Sequence, residues 1–327
     1  MAGAEKKDGK QKNGDRGPET ELERRELNIM LWNVSSSSSR KGMADLIKQQ
    51  MNSVLTELLR TDYRNLLVLC TDQVRKNKHD ILVKHLDKDP ALETNQLKEE
   101  RGGVTNRKKY GGGFEPHNAK SEADIYYRNI NRDYDWMYMS CEIIMNQFQY
   151  FDAVKPVKRT ALILLASMLC RRFATCILKE KKSNKRIVVV SWHGPRHPGK
   201  FTKCILLLVQ NIQEMYDCAG AFIGGDFNET SDVLRASLSD DLSYLKAEVL
   251  DNYELPTDRK EKIDYVVYWP QQTFTTETEC ILNSLRFSGD GKAFDHPIIM
   301  SRVFWKQEKQ EEGGGPKQKQ KKPKGEE

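Results

Sequence analysis

The stretch that most constrains this chain is a short apolar run that ends in two glycines and two polar side chains. Ala221–Ile223 is apolar, Gly224 and Gly225 follow, and Asp226 and Asn228 then stand two residues apart. The apolar run predicts a buried strand, and the glycines predict a sharp turn or a close approach at its end. A carboxylate can hold a proton or a water, and an amide can donate to an oxyanion, which suits phosphate chemistry. Aspartate and asparagine are equally common in ordinary turns, so this stretch alone leaves both interpretations open.

The composition favours one large folded region between two polar ends. Of the 327 residues, 38% are hydrophobic and 31% are charged. Residues 1–25 and 306–327 contain almost no apolar side chains and cannot offset the entropy of ordering, so we predict two disordered charged tails. Residues 26–305 remain, and this length suits a single domain.

The ends of the chain and its cysteines bear on location and partners. We find neither an apolar leader segment nor an apolar run of membrane-spanning length in the sequence. The seven cysteines lie mostly in apolar runs and form no Cys-x-x-Cys pair, as is typical of reduced thiols. We therefore predict an intracellular monomer, cytoplasmic or nuclear, without stable membrane insertion. The net charge of +6 mildly favours polyanionic partners.

Hydrophobic periodicity predicts strands and helices in alternation. Short apolar runs predict buried strands at residues 27–34, 65–70, 161–168, 173–178, 186–192, 263–268 and 297–304. Apolar side chains at helical spacing predict helices at residues 42–60, 203–216 and near 232–245. Between residues 73 and 135 the pattern is weak, with a glycine-rich basic loop at 102–113. This order of elements predicts a layered α/β fold.

Polar side chains of related chemistry stand at the ends of the predicted strands. They are Asn33, Asp72 with Gln73, His193, Asp226 with Asn228, Asp264, and Asp295 with His296. Each alone has an ordinary structural explanation as a turn residue, a satisfied histidine or a partner for a nearby cation. Together they fit those explanations poorly, because chance seldom places so many carboxylates, amides and histidines at the strand ends of one domain.

Four of these stretches, taken in order, resemble the motifs of the endonuclease/exonuclease/phosphatase superfamily, which has the DNase I-like fold. They are Trp32-Asn33, Gly225–Asn228 (Gly-Asp-Phe-Asn), Ile263–Tyr265 (Ile-Asp-Tyr) and Asp295–Pro297 (Asp-His-Pro). The match covers residues 26–305 and is weak between 75 and 160. The resemblance implies an α/β fold, α+β in some schemes. Its architecture would be a four-layer sandwich with two central mixed β-sheets face to face and helices outside.

The resemblance also implies a phosphodiester hydrolase that uses Mg²⁺ or Mn²⁺. Nucleic acid is the foremost candidate substrate, and lipid phosphodiesters and inositol phosphates stay open. A bound divalent cation neutralises the charge by which a phosphodiester repels a nucleophile. The resemblance implies that Asp226 activates the attacking water and that Asn228 positions it. It implies that His193 and the His296–Asp264 pair act on the phosphate. The residues implied on the metal side are Asn33, Gln73 and Asp295.

One position departs from the family pattern. The family carries Leu-Gln-Glu after its second strand, and that glutamate is its most regular metal ligand. This chain reads Cys-Thr-Asp-Gln at residues 70–73, which aligns Gln73 with the glutamate. A neutral amide attracts a cation less than a carboxylate does, so we predict a weakened metal site.

Two hypotheses therefore stand. The first is a working nuclease-like hydrolase, which the retained downstream residues favour. The second is a catalytically silent member of the superfamily that serves as a phosphate-binding, nucleic-acid-binding or protein-interaction module.

Overall fold

The computed structural model describes most of the region between the two polar ends. The described residues are 26–34, 43–60, 65–71, 78, 81–82, 85, 122–129, 133–152, 155–196, 199–254, 261–282 and 296–305. The predicted tails, the glycine-rich loop at 102–113, Asp72, Gln73 and Asp295 lie outside these ranges.

Strands and helices alternate along the chain. The strands are β1 (Glu26–Asn33), β2 (Asn65–Thr71), β3 (Ala123–Asn129), β4 (Tyr134–Met139), β5 (Phe173–Glu180), β6 (Arg186–His193), β7 (Gly220–Asp226), β8 (Glu248–Leu250), β9 (Asp264–Trp269), β10 (Phe274–Leu282) and β11 (Ile298–Trp305). The helices are α1 (Met43–Arg60), α2 (Cys141–Gln149), α3 (Pro156–Leu169), α4 (Gly199–Met215) and α5 (Ser231–Ser239), and a 3₁₀ turn spans Ser243–Leu245.

The strands form two mixed sheets. Sheet A has the order β10-β11-β1-β2-β3, and sheet B has the order β4-β5-β6-β7-β9-β8. Within the described strands, β1 pairs with β2 in parallel, β6 pairs with β7 in parallel, and the other pairs are antiparallel. The carboxyl ends of β6 and β7 therefore share an edge of sheet B with the amino end of β9. In sheet A, the carboxyl ends of β1 and β2 share an edge with the amino ends of β3 and β11.

Three apolar layers hold the sandwich together. Leu31, Leu69 and Phe222 belong to the layer between the two sheets. On the outer face of sheet A, α1 packs Met51 into a cluster that contains Trp32. Helices α2 to α5 contribute to the cluster on the outer face of sheet B. Burial of these faces removes apolar surface from water, which drives the layers together. The predicted four-layer sandwich with two central mixed sheets is confirmed.

The apolar run at residues 161–168 is helical, so the predicted strand there is wrong. Helix α3 begins at Pro156. A proline is tolerated at this position because the first N–H groups of a helix have no intrahelical acceptor. Leu162, Ala166 and Leu169 are the buried residues of this helix, at the spacing that places side chains on one helical face. The run is apolar on nearly every face, so it lacks the periodicity that separates a helix from a buried strand.

In the part of the chain that the structure describes, no helix is long and apolar enough to cross a membrane.

Candidate active site

Strand ends from both sheets bring the predicted side chains together. His193 ends β6 in register with Asp226 at the end of β7, and Asp264 begins β9 directly opposite Asp226. Asn33 ends β1 in the other sheet, and His296 lies two residues before β11. These five residues meet at one edge of the sandwich, where contacts join them into one cluster. The two other residues predicted on the metal side, Gln73 and Asp295, are outside the described ranges.

Asp226 is the centre of this cluster. The side-chain amide of Asn33 donates to Asp226 Oδ2 over 2.8 Å, and the backbone N–H of Asn228 donates to Asp226 Oδ1 over 2.8 Å. Nε2 of His296 is 3.7 Å from Asp226 Oδ2, and Nε2 of His193 is 4.0 Å from the same oxygen. Two amide donors thus orient a carboxylate that faces two imidazole rings.

Burial raises the pKa of Asp226 from its ordinary value of 3.8 to about 6. The residue is only 3% exposed, and the neighbouring Asp264 carboxylate raises the pKa further by repulsion. His296 and the hydrogen bonds from Asn228 and Asn33 oppose this rise. A carboxylate with a pKa near 6 can accept and release a proton close to neutral pH, which is the property of a general base.

Each histidine is backed by a carboxylate on the side away from Asp226. Nδ1 of His296 is 2.8 Å from Asp264 Oδ2, and Nδ1 of His193 is 3.3 Å from Glu122 Oε2. A carboxylate at Nδ1 helps to fix the orientation of an imidazole. The Nε2 atoms of both rings therefore face Asp226.

Glu122 is a member of the site that the sequence motifs do not indicate. It lies just before β3, and its Oε2 is 2.9 Å from Nη1 of Arg172 as well as close to His193. Arg172 in turn donates from Nη1 to the carbonyl oxygen of His193 over 3.3 Å. Glu122 stands directly before a strand, in a part of the sequence where the hydrophobic pattern is weak, so the sequence gives little indication of its place in the site.

Asn228 fixes the loops on either side of Asp226. Its φ of 51° is left-handed, a conformation that asparagine tolerates better than most residues. Its Nδ2 donates to the carbonyl oxygen of Gly194 over 2.8 Å, and the N–H of Gly194 donates to the carbonyl oxygen of Asp226 over 2.7 Å. The side-chain amide of Asn228 therefore joins the loop after β7 to the loop after β6. That this side chain positions the attacking water stays a prediction.

The paired glycines before Asp226 are needed for backbone packing. A Cβ on Gly224 would lie 2.6 Å from Leu31 Cδ2 of the opposite sheet. Gly225 has a φ of +145°, and a Cβ there would lie 2.1 Å from the carbonyl oxygen of Trp192. The close approach that the glycines predict is thus made by the other sheet and by the neighbouring strand.

Asp226, Asp264 and His296 also form a group that fits a divalent cation. One potential ligand atom from each of the three lies within 4.8 Å of the others. Carboxylate oxygens are the ligands that Mg²⁺ and Mn²⁺ prefer, and a cation here would offset the repulsion that raises the pKa of Asp226. Asn33 adjoins this group through its bond to Asp226, and its Oδ1 is the atom of that side chain able to ligate. The structure thus groups residues predicted as catalytic into a set that can also hold a metal.

Comparison with solved structures decides the fold. An endonuclease/exonuclease/phosphatase from Bacteroides vulgatus matches with a TM-score of 0.50 and 13% identity, over 86% of this chain and 100% of that one. The chain has the DNase I-like fold of the endonuclease/exonuclease/phosphatase superfamily. The fold that the four motifs imply is therefore confirmed.

Two further structures of the DNase I-like fold are similar at lower scores. TDP2 from Caenorhabditis elegans has a TM-score of 0.44 and 14% identity, over 86% of this chain and 74% of that one. The catalytic domain of human Nocturnin has a TM-score of 0.44 and 12% identity, over 87% of this chain and 97% of that one. Neither a protein-family model nor a curated protein sequence matches the chain.

Proposed function

We propose that this chain is a divalent-metal-dependent phosphodiester hydrolase of the nuclease type. The observation that carries the proposal is a buried carboxylate, Asp226, faced by two histidines that are each backed by a carboxylate. Nε2 of His296 and of His193 lie 3.7 and 4.0 Å from Asp226 Oδ2. This arrangement supplies one group that accepts a proton and two groups that donate to phosphate oxygens.

In the proposed reaction, Asp226 accepts a proton from the attacking water. Because its pKa is about 6, the carboxylate is largely ionised at neutral pH and still basic enough to take the proton. The water oxygen forms a new bond to phosphorus while the ester P–O bond on the opposite side breaks. Asn33 and the N–H of Asn228 hold the carboxylate in place during this step.

The two histidines act on the charge that develops at phosphorus. In the proposed reacting state both imidazoles are protonated. Glu122 and Asp264 hold the rings of His193 and His296 in place, and the Nε2–H groups of the two rings donate to non-bridging oxygens. One imidazolium passes its proton to the leaving oxygen, so the protons of the reaction balance. A divalent cation would be held by Asn33 together with Gln73 and Asp295, the other two residues predicted on the metal side, and would neutralise the phosphate charge.

Nucleic acid is the substrate class that we infer. The net charge of the chain is +6, which favours a polyanion. Arg171 and Arg196 are both exposed. Arg171 lies two residues before β5, whose first residue pairs with the neighbour of His193 in β6. Arg196 lies three residues after His193 in the chain. Exposed arginines beside a phosphate-directed histidine suit contacts to a phosphate backbone.

The alternative is a catalytically silent module, and Gln73 is the observation that favours it. Loss of the glutamate that the superfamily uses for its metal would weaken cation binding. In that case the histidine–carboxylate pairs and exposed arginines would bind phosphate groups without hydrolysing them.

Hydrolysis of a panel of phosphodiesters separates the two functions. We would assay single-stranded and double-stranded DNA, RNA and bis(4-nitrophenyl) phosphate with Mg²⁺ or Mn²⁺, with and without EDTA. The hydrolase predicts EDTA-sensitive turnover that Asp226→Ala abolishes and that the matched surface change Asp232→Ala leaves intact. Turnover by Gln73→Glu alone, with an inactive wild type, would favour the silent module.

A further inference from the structure

Helix α3 carries apolar side chains on the face that it buries and on the face that it exposes. Leu162, Ala166 and Leu169 are buried in the cluster on the outer face of sheet B. On the opposite side, Val157 is 84% exposed and Leu164 is 66% exposed. A helix that is apolar all round is normally covered on all sides, and no residue in the described ranges covers the exposed face of α3.

The exposed apolar residues form one continuous stripe. Val157, Ala161, Leu164 and Met168 are all exposed and follow the spacing i, i+4, i+7 and i+11, which places them on one side of a helix. At 1.5 Å per residue this α3 stripe is about 16 Å long, or three turns. A contiguous apolar surface on a soluble protein marks an interaction site more often than a scattered single residue does.

Basic side chains stand at both ends of the α3 stripe. Lys155 and Lys158 are exposed at its amino end, and Arg171 is exposed just past its carboxyl end. Residues 155–172 include no aspartate or glutamate. The first turn of α3 also has no acidic residue, so the lysines add to the positive end of the helix dipole. Among the described residues, the α3 stripe is therefore apolar in the middle and has lysines at one end and an arginine at the other. The exposed Asp152 at the amino end is paired with Arg159 over 3.4 Å.

We propose that the α3 stripe is the docking surface for an amphipathic helix of another protein, with aspartate or glutamate at both ends of its apolar face. Apolar side chains of such a helix would cover the stripe, and its carboxylates would face Lys155, Lys158 and Arg171. The four apolar residues of the stripe are not among the candidate active-site residues, whereas Arg171 at its end also belongs to the proposed phosphate-binding surface. Leu164→Asp therefore tests docking without changing a residue of the proposed hydrolase site.

The charges disfavour a second copy of this chain as the occupant. In a two-fold pair of α3 helices, an antiparallel arrangement would bring Lys155 and Lys158 of one copy against Arg171 of the other. A parallel arrangement would bring the lysines of the two copies against each other. Like charges at both ends would oppose such a dimer. The polar ends of this chain are also unsuitable, because residues 1–25 and 306–327 contain almost no apolar side chains to place on the stripe.

Binding of designed peptides to the full chain tests the proposal. The probe is a fluorescent 18-residue helical peptide with leucines at i, i+4, i+7 and i+11 and glutamates at both ends, and its matched control carries lysines at the same ends. We expect saturable binding of the glutamate peptide by fluorescence anisotropy and at least tenfold weaker binding of the lysine peptide. Leu164→Asp should weaken binding at least tenfold, whereas Val233→Asp, at a 52% exposed valine on α5, should leave it unchanged.

A charge reversal gives a second, independent test of the same surface. Lys155→Glu with Lys158→Glu should weaken the glutamate peptide and strengthen the lysine peptide, because only the charge at one end of the stripe changes. Equal binding of the two peptides, or no saturable binding of either, would overturn the proposal. A dimer in sedimentation that Leu164→Asp dissociates would overturn it in favour of self-association. Binding to phosphatidylserine vesicles that Leu164→Asp abolishes, without peptide binding, would overturn it in favour of a membrane surface.

Discussion

The side chain of Asn33 donates a hydrogen bond of 2.8 Å to Asp226, although 193 positions separate the two residues in the chain. Asn33 ends β1 in sheet A and Asp226 ends β7 in sheet B, so this bond joins the two sheets at the candidate active site. A second polar link lies deeper, where the buried Ser191 hydroxyl donates to the carbonyl oxygen of Cys70 over 3.0 Å. The geometry around Asp226 therefore depends on how the sheets dock.

Removal of the Asn33 amide should weaken both the fold and the site. We predict that Asn33→Ala lowers the free energy of unfolding by about 1–3 kcal/mol, the usual cost of losing a hydrogen bond to a buried charged group. The pKa of Asp226 should also rise, because this bond lowers it. Urea denaturation measures the first effect. Asn146→Ala, at an exposed asparagine on α2, is the matched control, and equal stability of the two variants would contradict the prediction.

The raised pKa of Asp226 makes stability depend on pH. Below pH 3.8 the carboxyl is protonated in both the folded and unfolded states, and its favourable contribution to folding is fully present. This contribution is lost as the pH rises through about 6, because ionisation is harder in the folded protein. Two pKa units correspond to about 3 kcal/mol.

Asp226→Asn should remove this dependence on pH. In EDTA, we predict that the variant gains up to about 3 kcal/mol of unfolding free energy relative to wild type between pH 4 and pH 7.5. Urea denaturation at the two pH values gives this difference. Parallel pH dependences in the two proteins would show that Asp226 titrates at an ordinary value.

His296 and Asp264 should behave as one unit in catalysis. We predict that His296→Ala and Asp264→Asn each reduce kcat by about 10²- to 10³-fold, and that the double variant is little worse than either. The physical reason is the 2.8 Å contact by which Asp264 orients the ring, so that Asp264 acts through His296. Multiplied effects in the double variant would mean that the two residues act separately.

Much of this site could be predicted from the sequence because its motifs coincide with strand ends. Gly225–Asn228 and Ile263–Tyr265 each combine a buried strand with its polar end residue, so the local pattern carries both the element and the side chain. Helix α3 could not be assigned, because a run that is apolar on every face has no helical period. Glu122 could not be found either, since its place beside His193 comes from the order of the strands in space.

Glu122 offers a test of a residue that only the structure indicates. We predict that Glu122→Gln lowers kcat about tenfold or more, because the carboxylate that lies 3.3 Å from Nδ1 of His193 is lost. His193→Ala should cost at least as much, and adding Glu122→Gln to it should change little. The exposed Glu142→Gln on α2 is the control for loss of one negative charge. Full activity of Glu122→Gln would remove the second histidine–carboxylate pair from the account.

The central claim is that water attacks phosphorus at Asp226. Cleavage of a defined single-stranded DNA in ¹⁸O-labelled water with Mg²⁺ or Mn²⁺, followed by mass spectrometry of the products, tests this most directly. We expect one ¹⁸O atom in each new phosphate group and no cleavage by Asp226→Asn. Label in the alcohol product, or cleavage that survives in Asp226→Asn, would contradict the claim. Absence of cleavage of DNA, RNA and bis(4-nitrophenyl) phosphate by the wild type with either metal would also contradict it.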